Sequence, residues 1–144
     1  MFRIESDEEE EKECEEICCR VDFIDKEELG KETDIFEFKD YFFPFREGHL
    51  WKLKELICAF LNSKGGFLFL GIREEDGITK VKGYKNYGYY KDKLIASLTH
   101  FVLKSLVPQP FGLVSFDPIP IYDEKEGLTE KFVLRVKINP GSKN

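Results

Sequence analysis

The chain has 144 residues, which is enough for one domain but too short for two independent enzyme domains. Hydrophobic residues make up 42% of it, including 14 phenylalanines, and this content excludes a globally disordered protein. No stretch approaches the roughly 18 consecutive apolar residues of a membrane-spanning helix, and the N-terminus is acidic where a signal peptide is basic. These properties predict an intracellular, cytoplasmic protein with no membrane span.

The net charge of −6 conceals an uneven distribution of charged residues. Residues 1–34 carry 15 acidic and 5 basic side chains, whereas the remaining residues carry 13 acidic and 17 basic ones. Acidic runs such as residues 7–11 are usually solvated, so we predict a disordered or frayed acidic tail over residues 1–30 and one domain over residues 31–144. The body of the chain is mildly basic, which is compatible with a nucleic-acid partner.

The four cysteines lack the spacing of a disulfide framework, since three of them are crowded at Cys14, Cys18 and Cys19. Free thiols in a reducing compartment are the expected state. A structural zinc site is not expected, because no Cys-x₂-Cys pair is matched by a second and both histidines are isolated. Cys58, within an apolar helical segment, is expected in the core.

Hydrophobic periodicity predicts seven elements in the order β-α-β-β-α-β-β. Phe36 and Phe38 alternate with charged neighbours, which predicts a first strand with one charged face. The other elements are two helices, at His49–Asn62 and Lys91–Leu106, and strands at Phe67–Ile72, Ile78–Lys82, Leu113–Ile121 and Lys131–Ile138. Pro118 and Pro120 favour an edge position for the strand at 113–121. The order predicts an α+β fold in which two main helices cover a single mixed β-sheet.

A loop that runs into the first strand carries the clearest candidate for chemistry. Glu32 and Glu37 are five residues apart, and such a loop can bring both side chains to one side of the strand. Mg²⁺ and Mn²⁺ bind carboxylate oxygens and are completed by water and by substrate phosphate. Lys39 lies on the same strand face as Glu37, where an ammonium can steady a phosphate. The alternative is a solvated strand face with an ordinary pair of opposite charges.

Three segments taken together resemble the core of the Schlafen family and related divergent Alba-like nucleic-acid-binding domains. They are ETDIFEFKDY, ICAFLNSKGGFLFLGI and the acidic turn that follows. The residues that carry the resemblance are Glu32, Glu37, Phe38, Lys39, Ala59, Phe60, Asn62, Gly65, Gly66, Gly71, Ile72 and Gly83. The resemblance is strong over residues 31–84 and elsewhere rests on the order of elements.

The resemblance implies a metal-dependent endoribonuclease that cuts structured or small RNA, with tRNA or piRNA precursors as substrates in different members. It implies that Glu32 and Glu37 bind Mg²⁺ or Mn²⁺ in the catalytic centre. The family's third carboxylate follows a Gly-Val dipeptide, and Arg73 stands at that position here. Glu75, on the same strand face as Arg73, is the first candidate to replace it, and Asp76 is the second. Without a replacement the centre would be weak or inactive.

The resemblance also implies a partner lobe, because family members form a horseshoe of two related lobes with RNA between them. The expected assembly is a homodimer or a heterodimer with another Schlafen-like lobe. Exposed aromatic clusters often mark interfaces, and the candidate cluster consists of Tyr41, Phe42, Phe43, Phe45 and Trp51. Packing of these side chains beneath the helices is the alternative.

Basic residues of the body are candidate RNA contacts, since neutralising phosphates supplies affinity. They are Lys39, Lys52, Lys54, Lys64, Arg73, Lys80, Lys82, Lys85, Arg135 and Lys137. The interleaved Tyr84, Tyr87, Tyr89 and Tyr90 can stack on unpaired bases. Two rival functions remain open: a non-catalytic lobe that binds a sister subunit and RNA, and a DNA-binding module of a regulator.

Overall fold

The computed structural model describes residues 16–85 and 90–141. It confirms the α+β class, with a six-stranded mixed sheet, two longer helices on one face of it and a separate three-stranded sheet. Within the described residues, no helix is long and apolar enough to cross a membrane. Cys14, Tyr87, Tyr89 and the first half of the expected acidic tail lie outside the described residues.

The elements are numbered here in chain order. The strands are β1 (Phe23–Ile24), β2 (Glu28–Leu29), β3 (Phe36–Lys39), β4 (Gly66–Leu70), β5 (Ile72–Glu75), β6 (Ile78–Val81), β7 (Tyr84–Lys85), β8 (Val114–Asp123) and β9 (Gly127–Ile138). The helices are α1 (Glu47–Leu61) and α2 (Tyr90–Phe101), and a 3₁₀ turn (Leu103–Ser105) follows α2. The second predicted helix is therefore shorter than its apolar periodicity indicates.

β9 is the central strand of the main sheet, whose strand order is β1-β8-β9-β4-β3, with β7 also paired to β9. β3 runs parallel to β4 and β1 runs parallel to β8, while the other pairs are antiparallel. β1 covers only Ile121 and Tyr122 of β8. Pro118 and Pro120 pair with β9 alone, so the predicted edge position is confirmed for the part of β8 that carries the prolines.

Residues 16–30, which the charge pattern assigns to the acidic tail, contact both sheets: β1 pairs with β8 of the main sheet, and β2 pairs with β6 of the second sheet. Ile17, Cys18 and Phe23 are buried on the sheet face opposite the helices. The guanidinium of Arg135, on β9, donates to the carbonyls of Cys18 and Arg20 at 2.8 Å each. A few apolar side chains and this clamp anchor the segment, and the many glutamates around them hide that signal in the sequence.

Each face of the main sheet has its own hydrophobic core. On the helix side, Leu53 and Ile57 of α1 and Leu98 of α2 pack against the sheet and are fully buried. On the opposite side, Phe69 of β4 is fully buried and meets Phe23 edge to face, with ring centroids 6.3 Å apart. Because both faces of the sheet are covered, β4 has the continuous apolar sequence that is typical of a buried strand.

Gly71 marks the point where the chain leaves the main sheet for the second one. Its φ is +104°, and an added Cβ would lie 3.0 Å from the Cα of Gly83, so only glycine suits this crossing. The Gly71 amide donates to the Lys39 carbonyl at 2.8 Å. Beyond it, β5 pairs with β6, and β6 pairs with β2. The sequence predicts a single sheet and omits this second one. Apolar alternation does not show that the chain changes partner strands between β4 and β5.

Candidate functional site

Glu37 and Lys39 project from β3 onto the helix side of the main sheet, at its rim. Glu37 pairs in register with Leu68 and Lys39 with Leu70, and both leucines belong to the helix-side core. β3 is the last strand of the sheet, so the two polar side chains keep 26% and 24% exposure. Lys39 Nζ lies 3.2 Å from Oε1 of Glu37. The shared face predicted from alternation is therefore present.

Glu32 reaches the same rim from the preceding loop. Its Oε1 accepts a 2.9 Å hydrogen bond from the amide of Phe38. That amide points away from the sheet, because the carbonyls of Ile35 and Lys39 are the ones that bond to the β4 side. The amide of Thr33 donates to the Phe36 carbonyl on the same free edge. The loop thus covers an exposed strand edge and fixes the carboxylate of Glu32 beside the strand.

Lys39 interacts electrostatically with both carboxylates. Burial acts to lower the pKa of its ammonium, but the hydrogen bond and charge of Glu37, with smaller contributions from Tyr41 and Glu32, raise the pKa overall. The ammonium therefore stays charged at neutral pH. We refer to Glu32, Glu37 and Lys39 as the rim site. Two carboxylates beside one ammonium supply oxygen ligands suited to a hard divalent cation.

The position of the expected third carboxylate holds an arginine that already has partners. Arg73 Nε donates to Oδ2 of Asp40 at 2.8 Å, and its Nη1 donates to Oε1 of Glu75 at 3.2 Å. Asp76 lies in the β5–β6 turn, with φ +53°. Throughout the described part of the chain, no three His, Cys, Asp or Glu residues are grouped so that they could hold a metal ion. A metal at the rim site would therefore have two protein carboxylates as ligands, completed by water and phosphate.

Asp40 is a residue of this region that the sequence analysis missed. Its carboxylate is only 16% exposed and accepts from Arg73 and from Nζ of Lys82, at 2.8 and 3.2 Å. The hydrogen bond between Arg73 and Asp40 is the main reason why the pKa of Arg73 is raised. These contacts join the end of β3 to the second sheet. The sequence contains a signal for this ion pair. Asp40 directly follows Lys39, and Arg73 stands where the Schlafen motif has an acidic residue.

Tyr41 and His49 are two further neighbours of the rim site that the sequence analysis did not assign to chemistry. Their rings stack in parallel, with centroids 4.1 Å apart and planes inclined by 5°. Burial raises the pKa of the Tyr41 phenol, while the charge of Lys39 opposes the shift and that of Glu37 adds to it. Nδ1 of His49 is buried, and it has no hydrogen-bond partner in residues 16–85 and 90–141.

The main chain around Tyr41 is tied to the core by two tyrosine hydroxyls. Tyr84 donates to the Tyr41 carbonyl at 2.6 Å, and Tyr90 donates to the Phe43 carbonyl at 3.0 Å. Tyr84 is buried against Phe132 of β9. The Tyr84 ring is therefore buried and unavailable for stacking on RNA bases, whereas the half-buried Tyr90 ring packs edge to face on Phe43, with ring centroids 5.3 Å apart.

The candidate RNA contacts do not lie on one surface. Arg73 and Lys82 are held by Asp40, and Arg135 is held by Asp117 and by two main-chain carbonyls. Lys80 is half-buried on β6, and Lys85 is exposed on β7. Lys64 and Lys137 line one groove of about 200 Å³ that begins at the glycine turn before β4. These two lysines therefore share a concave surface.

The aromatic cluster divides between core and surface. Tyr41, Phe43 and Phe45 pack against the helix-side core, whereas Phe42 and Trp51 are 76% and 62% exposed. Two-thirds exposure of the only tryptophan leaves a large apolar side chain available for a partner.

Cys19 and Cys58 are free thiols, as expected. Cys18 is buried and Cys19 is exposed. The expectation that Cys58 lies in the core is wrong, because the residue is exposed on α1 and Asn62 donates to its Sγ at 3.5 Å. The apolar helix turns this position away from the sheet.

Comparisons with known proteins agree with the architecture. None of the curated proteins compared with the chain matches it. The sequence profile described as Schlafen, AlbA_2 matches residues 32–144, more than three quarters of the chain, and this range begins at Glu32 and contains β3 to β9. The chain therefore belongs to the Schlafen AlbA_2 family.

Proposed function

We propose that this protein is a metal-dependent endoribonuclease lobe of the Schlafen type that cuts structured or small RNA of the tRNA or piRNA-precursor class. Glu32 and Glu37 would bind Mg²⁺ or Mn²⁺, and Lys39 would contact the phosphate. The observation that carries the proposal is that Glu32, bonded to the Phe38 amide at 2.9 Å, and Glu37, 3.2 Å from Lys39 Nζ, lie along the same edge strand of the sheet. When bound, the metal supplies an activated water and offsets charge that develops on the phosphate.

The charges of the rim site explain why a metal would be needed. Two carboxylates and one ammonium leave a net charge of −1, which repels a phosphate. A divalent cation changes that net charge to +1 and attracts the phosphate instead. Lys39, whose Nζ lies 3.2 Å from Oε1 of Glu37, supplies a further cation beside the carboxylates for contact with the phosphate. RNA binding at this rim is therefore expected to depend on a divalent cation.

Glu37→Gln tests the proposal most cleanly, because Glu32 also bonds the strand edge and its loss would disturb the backbone. We expect the variant to fold normally and to cut RNA at least about a hundredfold more slowly in Mn²⁺. Glu55→Gln is the matched control, since Glu55 is an exposed glutamate on α1 that pairs only loosely with Lys52 at 3.7 Å. Cleavage retained in Glu37→Gln, or cleavage without a divalent cation, would contradict the proposal.

A non-catalytic lobe that binds a sister subunit and RNA is the second candidate. Arg73 favours it, because this guanidinium occupies the third-ligand position and is bonded to Asp40 and Glu75. Titration with Mn²⁺ separates the two candidates. A nuclease lobe binds one Mn²⁺ that is lost in Glu37→Gln, whereas a non-catalytic lobe has no such carboxylate-dependent site.

Pairing with a second lobe is also part of the proposal. The exposed Phe42, Trp51 and Phe101 support it, since all three lie on or next to the helix layer and two of them line one groove with Leu50. Trp51 is the only tryptophan, so its emission reports directly on this surface. We expect the emission to shift to the red on dilution as a dimer dissociates, and sedimentation to show the same transition. If the protein is monomeric at all concentrations, a homodimer is excluded, and the remaining assembly is a heterodimer with another lobe.

A further inference from the structure

Two polar neighbours of the rim site, Tyr41 and His49, have hydrogen-bonding atoms that meet no partner among residues 16–85 and 90–141. The Tyr41 hydroxyl makes no hydrogen bond to any residue that the structure describes, although it lies close enough to Lys39 and Glu37 for their charges to act on it. Burial keeps this phenol protonated at neutral pH, so the hydroxyl remains an O–H donor. A donor without a partner beside a phosphate-binding lysine is positioned to contact the same nucleic-acid backbone.

His49 presents a second donor next to the first. The imidazole is half-buried and stacks on the Tyr41 ring. Nδ1 is its enclosed nitrogen, which leaves Nε2 as the ring nitrogen that can serve a ligand from outside the protein. His49 is the third residue of α1, so the helix holds its main chain in place. The parallel stack in turn restricts the rotation of the Tyr41 ring.

We propose that Tyr41 and His49 form a second phosphate contact beside the rim site, in which Tyr41 Oη and His49 Nε2 donate to the RNA phosphate next to the one at Lys39. This inference rests on the proposed function, because the metal at Glu32 and Glu37 is what makes the rim attractive to RNA. A phenol O–H and an imidazole N–H are both hydrogen-bond donors, and phosphate oxygens accept hydrogen bonds only. The two rings therefore add position and affinity to RNA binding.

Binding of a labelled single-stranded RNA tests the proposal, measured by fluorescence anisotropy with Ca²⁺ in place of Mg²⁺ so that the RNA stays intact. The variants are Tyr41→Phe and His49→Phe, each of which keeps an aromatic ring in the stack and removes the donor. We expect each to weaken binding about tenfold, the loss of one charge-assisted hydrogen bond. Tyr122→Phe is the control, since Tyr122 is an exposed tyrosine on β8.

The salt dependence distinguishes this contact from an ionic one. Lys39→Gln should reduce the slope of log affinity against log salt by about one, because one phosphate neutralisation is lost. Tyr41→Phe should leave the slope unchanged, because the phenol hydroxyl that it removes carries no charge at neutral pH. Thermal unfolding of each variant confirms that it is folded at the assay temperature.

The outcomes separate this inference from the proposed nuclease. Wild-type affinity in both Tyr41→Phe and His49→Phe overturns the inference, even when the wild-type protein cuts RNA. Weakened binding in these variants, without any cleavage by the wild-type protein in Mn²⁺, overturns the nuclease and leaves the phosphate contact standing. A wild-type protein that does not bind RNA in Ca²⁺ overturns both.

Discussion

Tyr84→Phe removes a single oxygen that holds the main chain beside the rim site. The Tyr84 hydroxyl donates a 2.6 Å hydrogen bond to the Tyr41 carbonyl, and the residue is 7% exposed. The phenylalanine ring fills the same space, so the main cost is a partly buried carbonyl without its donor, about 1–2 kcal/mol. For a chain of this size we expect the midpoint of thermal unfolding to fall by roughly 2–4 °C for each kcal/mol.

The same substitution changes how stability depends on pH. Burial, and after it the charge of Asp40, raises the pKa of the Tyr84 phenol above its ordinary value of 10.0. The folded protein therefore holds this proton more tightly than the unfolded chain does. The resulting stability is fully present below about pH 10 and is lost as the pH rises from there toward the higher folded pKa. Phenylalanine has no such proton, so the stability gap between wild type and variant should narrow above about pH 10.

Urea unfolding of both proteins, at about pH 7 and again between about pH 10 and 11, measures both effects. Tyr122→Phe is the matched control, because it removes the hydroxyl of an exposed tyrosine. The reasoning is refuted if Tyr84→Phe is as stable as wild type at neutral pH. A gap that stays constant across the alkaline range refutes the assignment of the pKa shift to this buried phenol.

Three further substitutions test the fold. Gly65→Ala should destabilise the protein by about 1–3 kcal/mol in thermal unfolding, because Gly65 has φ +77° and an added Cβ would meet the Ile138 carbonyl at 2.4 Å. Phe69→Ala should lower the free energy of unfolding, measured in urea, by about 3–5 kcal/mol, since Phe69 is fully buried. Phe42→Ala is its control and should change that free energy very little, because Phe42 is exposed. Arg135→Gln should expose the N-terminal segment to limited proteolysis, because its guanidinium holds two carbonyls there; unchanged cleavage would contradict the clamp.

The local pattern around β3 was predictable from its residues. Phe36 and Phe38 alternate with Glu37 and Lys39, and the structure buries the first pair and leaves the second at the rim. The period of two in an extended strand forces that separation wherever one face is buried. Its partner strand and its position at the edge of the sheet did not follow from the pattern, yet they are what leave the charged pair accessible.

The contacts of Arg73 were not predictable in the same way. Arg73 and Asp40 are 33 residues apart and meet because β5 leaves the main sheet at Gly71 and returns past the end of β3. Sequence spacing placed Glu75 on the face of Arg73, and the two do interact. Sequence spacing could not indicate that Arg73 also bonds to Asp40, because only the fold brings Asp40 next to the arginine.

The amino-acid order by itself determined the type of each main element, the separation of buried and charged faces on β3, and the family signature that starts at Glu32. These properties depend on backbone periods and turn residues, which act over a few positions. The tertiary structure alone decided which side chains meet: Glu32 with the edge of β3, Asp40 with Arg73, and His49 with Tyr41. Such meetings depend on strand order and on how helix α1 packs on the sheet, and no local period encodes either.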